Sequence, residues 1–217
     1  MQEDLSNRKY VLEGYLAPDT YRVFANASAQ SIARTLVLQT NTVYDRVFYA
    51  EDSVQYDEEG NLIQEGYVSP LTMDQTLILA SMIEKEAGNQ EDFAKVSAVF
   101  HNRLNAGMRL ESDPTVKYTF GVDTFTLTNE QLATQSAYNT YQISGLPVGP
   151  ICNPSQAALE AALHPDEAFM AEGYYYFCAT EPDSDALAFA KTLEEHNANV
   201  ERYRPLWEAY DREQQGE

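Results

Sequence analysis

Leu77-Ile78-Leu79-Ala80-Ser81-Met82-Ile83-Glu84-Lys85-Glu86 joins the longest strongly apolar run of the chain to three charged residues. Thr72 and Gln75 stand upstream at capping-box spacing, and Gly88 follows as a stop signal. The pattern predicts a buried helix over 72–87. Positions 79, 82, 83 and 86 share one stripe, with Leu79, Met82 and Ile83 apolar and Glu86 closing it. A carboxylate at a core-facing position is costly unless it is paired or protonated. The negative end of the helix dipole disfavours it further. Both effects raise the pKa of Glu86, and a carboxyl kept partly protonated near neutrality suits general acid chemistry. Periodicity alone leaves a second reading open, in which Glu86 frays into solvent past the helix end. Glu84 falls on the opposite side, with Leu77, Ala80 and Ser81, so one glutamate can face a cleft while the other pairs elsewhere.

Outward from this segment, further helices are predicted over 31–48, over 90–106 (Asn89 as N-cap, Gly107 as stop) and after the Thr128-x-x-Gln131 capping box. Asn153-Pro154 reads as N-cap and first turn of an Ala-rich helix to 163, stopped before Pro165. A last helix covers 193–210, interrupted near Pro205. The acidic stretch 52–66 reads as a loop or short hairpin around Glu59-Gly60-Asn61. The best strand is 174–179 (YYYFCA); 12–15, 21–24 and 108–110 are weaker candidates. The expected fold class is α+β: a helix-rich single catalytic domain over 10–210 with a small antiparallel sheet. Residues 1–9 are expected to be a disordered N-terminus, and 211–217 a polar tail.

The 217 residues are enough to bury a core without staples. Lys plus Arg is 14 against 34 Asp plus Glu, a formal charge of −20. Phosphate contacts need clustered cations, so a nucleic-acid partner is excluded. Docking on an anionic membrane through a basic face is disfavoured for the same reason. No stretch reaches the roughly 20 apolar residues of a membrane span. Cys152 and Cys178 stand in no metal spacing and are expected to be small buried thiols.

Leu110-Glu111-Ser112-Asp113-Pro114-Thr115 offers a second carboxylate. Asp113 reads either as a helix cap before Pro114 or as the partner of Glu86 in a two-carboxylate site. Tyr138-Asn139-Thr140-Tyr141 and the rigid block 145–154, which ends in Asn153-Pro154, combine aromatics and amides in a way that suits sugar binding. An ordered connector is the alternative. His101, His164 and His196 form no metal set, although His196 could face a cleft. No GxSxG, P-loop or Rossmann fingerprint is present.

These blocks together resemble the YceG-like (MltG-like) endolytic murein transglycosylases. The resemblance is carried by Leu12-Glu13-Gly14-Tyr15-Leu16-Ala17-Pro18-Asp19-Thr20-Tyr21, by Ala80 to Glu86, and by the run from Val99-Phe100-His101-Asn102-Arg103-Leu104 to Ser112-Asp113-Pro114-Thr115-Val116. Ser136 to Tyr141, the Gly-Leu-Pro block and Glu195-His196-Asn197 follow in the same order. The resemblance implies a lytic transglycosylase that cleaves the MurNAc-β-1,4-GlcNAc bond of nascent peptidoglycan and leaves 1,6-anhydroMurNAc ends. It implies Glu86 as acid and then base, no metal and no cofactor. Glu84, Asp113, Tyr138, Asn139, Asn153 and His196 become candidate substrate-binding or orienting residues. Implied partners are peptidoglycan strands, peptidoglycan synthases and division or elongation proteins. Implied location is the extracytoplasmic face of the bacterial membrane, with the chain read as a fragment lacking an N-terminal anchor and a LysM-like region. A two-carboxylate muramidase and a non-catalytic peptidoglycan-binding module remain as alternatives. Cys152, Glu111 and Ala17 depart from the family pattern, the last at a position where an aromatic is frequent.

Overall fold

The computed structural model describes residues 6–48, 55–56, 62–63, 69–122 and 124–215. The chain runs α1 (Ala29–Phe48), β1 (Gln55–Tyr56), β2 (Leu62–Ile63), α2 (Met73–Glu86), α3 (Phe93–Asn105), α4 (Asp113–Phe120), α5 (Asn129–Ala133), α6 (Gln156–Leu163), α7 (Glu167–Glu172), β3 (Tyr176–Ala179), β4 (Leu187–Ala190) and α8 (Leu193–Gln215). A 3-10 turn over Gln90–Asp92, capped by Asn89, leads into α3. Two antiparallel hairpins supply the strands. β1 pairs with β2, Gln55 opposite Ile63, while the expected loop or hairpin tip at 59–61 lies outside the described residues. β3 pairs with β4, Tyr176 opposite Ala190. The α+β expectation, rich in helix with little sheet, is met.

α2 is the central element. Its capping box forms as expected: Gln75 N donates to Thr72 Oγ1, and Thr72 N donates to Gln75 Oε1. Leu77, Leu79, Ala80, Met82 and Ile83 are fully buried. α6 lies against α2 through Ala158, Ala161 and Ala162, whose small side chains permit close approach. α3 packs on both, and His101 Nε2 meets the Ala162 carbonyl at 3.0 Å, a core role for this histidine. Ser81 joins the Gly- and Pro-rich block to α2 by accepting from Ile151 N at 3.0 Å. The two cysteines are unpaired.

Several expectations are corrected. Residues 12–15, 21–24 and 108–110 are turns or irregular backbone, and in the first and last of these, side chains take up the peptide groups. Asn153 Oδ1 accepts from Gly14 N and Leu16 N, and Arg103 Nη1 donates to the carbonyls of Arg109 and Leu110. Asn153 therefore caps no helix; Ser155 caps α6, accepting from Ala158 N. Asp113 is not a cap either but the first residue of α4, behind Ser112. α7 and β4 are additional to the expected elements: α7 lies just behind Pro165, and β4 lies in an Ala-rich run that resembles a helix. α8 passes through Pro205 unbroken. Both Pro205 and Glu201 are exposed, so the carbonyl that loses its helical partner lies at a solvent-facing position. The helix also reaches beyond 210: Asp211 is buried and accepts from Phe125 N, Thr126 N and Thr126 Oγ1. At the other end, Arg8 belongs to the folded body. Its guanidinium meets Asp74 at 2.5 Å, and Tyr15 donates to the same carboxylate.

Candidate active site

The C-terminus of α2, the N-terminus of α4, the β3–β4 hairpin and one face of α8 border a cleft of about 750 Å³. Glu86 sits in its wall as the last residue of α2, partly exposed to the cleft and otherwise enclosed. Burial pushes its carboxyl up to about 7. A hydrogen bond from Ser112 Oγ to Glu86 Oε1, 2.6 Å long, acts in the opposite direction. The charge of Asp113 adds to the rise, and Lys117 and Arg103 reduce it. The stripe reading is thus the one the fold adopts, and Glu86 does not fray into bulk solvent.

Ser112 reaches Glu86 because of its place in the chain. It stands at the N-cap of α4, yet its hydroxyl makes no cap hydrogen bond and is spent on Glu86. Ser112 N donates to Thr140 Oγ1 at 2.9 Å, which fixes the loop against the 136–141 turn. The preceding residue, Glu111, holds φ at 49°, a left-handed conformation uncommon for a non-glycine residue. Asp113 follows in the same wall. Tyr141 Oη donates to Asp113 Oδ1 at 2.7 Å, and burial raises the Asp113 pKa. Burial and Asp113 also raise the pKa of Tyr141, so its phenol stays a donor.

On the opposite side, Arg103 Nε donates to the Tyr175 carbonyl at 2.6 Å, and Nη1 meets Glu111 Oε2 at 3.1 Å. Its guanidinium lies 5.0 Å from the centre of the Tyr176 ring, on which His196 stacks at 5.3 Å. His196 Nδ1 is buried without a hydrogen-bond partner. Burial and then Arg103 lower its pKa, which keeps the imidazole neutral at pH 7.

Of the residues singled out from sequence, Glu86, Asp113, His196 and Glu84 border this cleft. The Glu84 carboxylate is engaged elsewhere, accepting from Ser155 N and Oγ at 3.1 and 2.6 Å. Tyr138, Asn139 and Asn153 do not line the cleft. Tyr138 is buried under Lys9, accepting from its backbone N–H. Asn139, 1% exposed, donates to the Leu132 and Thr134 carbonyls and accepts from Tyr141 N at 2.9 Å. It shapes the turn that presents Tyr141. From that block it is Tyr141 that lines the cleft, together with Arg103 and Lys117, none of which the sequence marks, while Ser112 reaches Glu86 from beside Asp113. Ser112 was visible beside Asp113, but its direction depends on the packing of α4 against α2. Among the described residues no group of His, Cys, Asp and Glu is arranged to hold a metal ion, and no helix is long and apolar enough to cross a membrane.

The site is thus a glutamic acid at the C-terminus of a buried helix, its carboxyl raised by burial, in the wall of a cleft of a helix-rich α+β domain. The family model described as the YceG-like family matches residues 1–202, and the chain belongs to that family. It is 38% identical over 198 residues to an endolytic murein transglycosylase of Bacillus subtilis, covering 91% of this chain and 49% of that protein. It is 28% identical over 200 residues to an endolytic murein transglycosylase of Streptococcus pneumoniae, covering 90% of this chain and 33% of that protein. A crystal structure of a YceG-like protein from Listeria monocytogenes superposes with a TM-score of 0.69 at 33% identity, over 89% of this chain and 57% of that one. The chain thus spans half or less of the length of the curated relatives it matches.

Proposed function

We propose that this chain carries the catalytic part of an endolytic lytic transglycosylase acting on peptidoglycan glycan strands. One observation carries the reading: the cleft-facing carboxyl of Glu86, held at about 7 by burial and touched by Ser112. A group that must give a proton and then take one works best with its pKa near the working pH. Protonated Glu86 donates to the glycosidic oxygen, and the C1–O bond breaks with oxocarbenium character at the muramoyl C1. The resulting Glu86 carboxylate receives a hydrogen bond from Ser112 and lies in the field of Arg103 and Lys117, which favours the ionised form. It then removes the proton of the muramoyl C6 hydroxyl, whose oxygen closes onto C1. Glu86 ends protonated, no water is consumed, and the new end is a 1,6-anhydro sugar. Asp113 disfavours a second negative charge beside it and so holds the proton on Glu86 until the glycosidic oxygen takes it. Two residues fit a supporting role on the substrate side: neutral His196 and the Tyr141 phenol. In this reading the protein works outside the cytoplasmic membrane, attached through an N-terminal segment, alongside peptidoglycan synthases and division or elongation proteins.

The presence of Asp113 in the same wall favours one competitor, a muramidase in which it is the second carboxylate. The test is mass spectrometry of products from uncrosslinked glycan strands, with the parent and a folded Glu86→Gln protein. Internal 1,6-anhydromuramyl ends from the parent alone are expected. Reducing ends, heavier by one water, would replace the proposal with the hydrolase. Full activity in Glu86→Gln would remove Glu86 from the reaction, and no product from either protein would leave a binding module.

A further inference from the structure

The same cleft also carries an aromatic wall. One face of α8 borders the groove along its length, with His196, Val200, Arg204 and Trp207 at helical spacing. Across from Trp207, the loop after α4 presents Phe125, ring centres 5.9 Å apart. Asp211 pins this loop through Phe125 N at 2.7 Å and Thr126 N at 2.8 Å, and Trp207 Nε1 donates to the Thr180 carbonyl at 2.9 Å. Both rings are thus held by hydrogen bonds while remaining partly exposed. Lys117 Nζ stands 5.7 Å from the Phe125 ring centre, and Arg204 borders the same space. Among the described residues neither cation is in an ion pair. The family match ends at residue 202, so Arg204, Trp207 and Asp211 lie outside the residues on which the family assignment rests.

We propose that Phe125, Trp207, Lys117 and Arg204 form a second subsite beside Glu86 that takes a sugar of the strand against its aromatic faces and the carboxylate of that sugar's peptide stem against its two cations. The inference rests on the glycan-strand reading above and narrows the substrate to stem-bearing strands. Fixed aromatic faces match the apolar faces of a pyranose ring at small entropy cost. Unpaired cations within a groove attract a carboxylate more strongly than fully solvated ones would. The pinned loop makes the subsite a ready platform and not a segment that must order on binding. A strand seated there and at Glu86 together is held beside the cut as well as at it, so the subsite also sets how much strand is needed for efficient cleavage.

Trp207 is the single tryptophan of the chain, so its fluorescence reports on this wall of the cleft alone. The experiment titrates the Glu86→Gln protein with uncrosslinked stem-bearing strands, their stem carboxylates either free or converted to amides. Strands with free stem carboxylates are expected to change Trp207 emission saturably, and the amidated strands to bind roughly tenfold more weakly, the size of one lost charge-assisted contact. Phe125→Ala is expected to weaken both by roughly three- to tenfold. Lys117→Gln is expected to erase the preference for free stem carboxylates. Trp207→Phe, which keeps an aromatic face, should retain binding followed by calorimetry, and thereby separates the subsite from a folding defect. Unchanged Trp207 emission at saturating strand, or equal affinity for both strands, would overturn the proposal. Anhydro products from the parent together with a silent Trp207 would refute the subsite and leave the transglycosylase reading standing. A responsive Trp207 without any product would do the reverse.

Discussion

Replacing Glu86 by Gln is expected to stabilise the protein at alkaline pH while removing its activity. The folded protein holds the Glu86 proton up to about pH 7, whereas the ordinary value is 4.5. Between these values the folded state binds more protons than the unfolded chain, so stability falls as pH rises through the window. Below pH 4.5 the penalty is absent, and above 7 it is complete. Integrated from pH 5 to pH 8, this single group costs about 2.5 kcal/mol. Gln has the same shape and still accepts from Ser112 Oγ, but it never ionises. Asp113 remains in both proteins, so their difference isolates Glu86. Urea unfolding of both at pH 5 and pH 8 measures it. The variant should gain about 2 to 3 kcal/mol on the parent between the two conditions. In melting temperature this is roughly 5–10 °C for a chain of this size. A stability difference that is the same at both pH values would refute the buried, proton-holding carboxyl, and the acid role with it.

Three further outcomes follow from the same contacts. Ser112→Ala removes the hydrogen bond that favours ionised Glu86, so the alkaline limb of the kcat/KM profile should move up by roughly one pH unit; a limb that stays in place would show that the 2.6 Å contact is energetically idle. Asn153→Ala leaves Gly14 N and Leu16 N without their acceptor and should cost about 1 to 3 kcal/mol in denaturant unfolding. Gly14→Ala should be worse still, because Gly14 has φ 83° and an added Cβ would lie 2.3 Å from Pro150 Cγ; a protein of parental melting temperature would contradict this packing.

The elements that local chemistry specifies were readable in advance. The Thr72 and Thr128 capping boxes form with the predicted partners, and the stop at Gly107 holds a left-handed φ of 66°. Such signals act over one helical turn, where the chain itself sets the geometry. The apolar stripe ending in Glu86 was equally legible, since a period of 3.6 residues converts spacing into facing. Family membership was legible too, from ordered blocks that no single motif would have carried.

The site as a whole was less so. Asn139 and Asn153 looked like sugar readers because amides bind hydroxyls, but amides also satisfy buried peptide groups, and here both do that instead. Asp113 read as a cap, but Ser112 stands at that position and turns its hydroxyl to Glu86 across 26 positions of chain. Tyr141, Arg103 and Trp207 carried no local mark of their use. Sequence alone determined the helices with clear caps and stops, which face of α2 is buried, and that a carboxyl ends that face, because these depend on neighbours within a turn or two. Only the tertiary structure decided which polar groups converge on that carboxyl and which are consumed in holding loops. A hydrogen bond between distant segments depends on how whole helices pack, and that is settled by the summed burial of the core and not by any one residue in it.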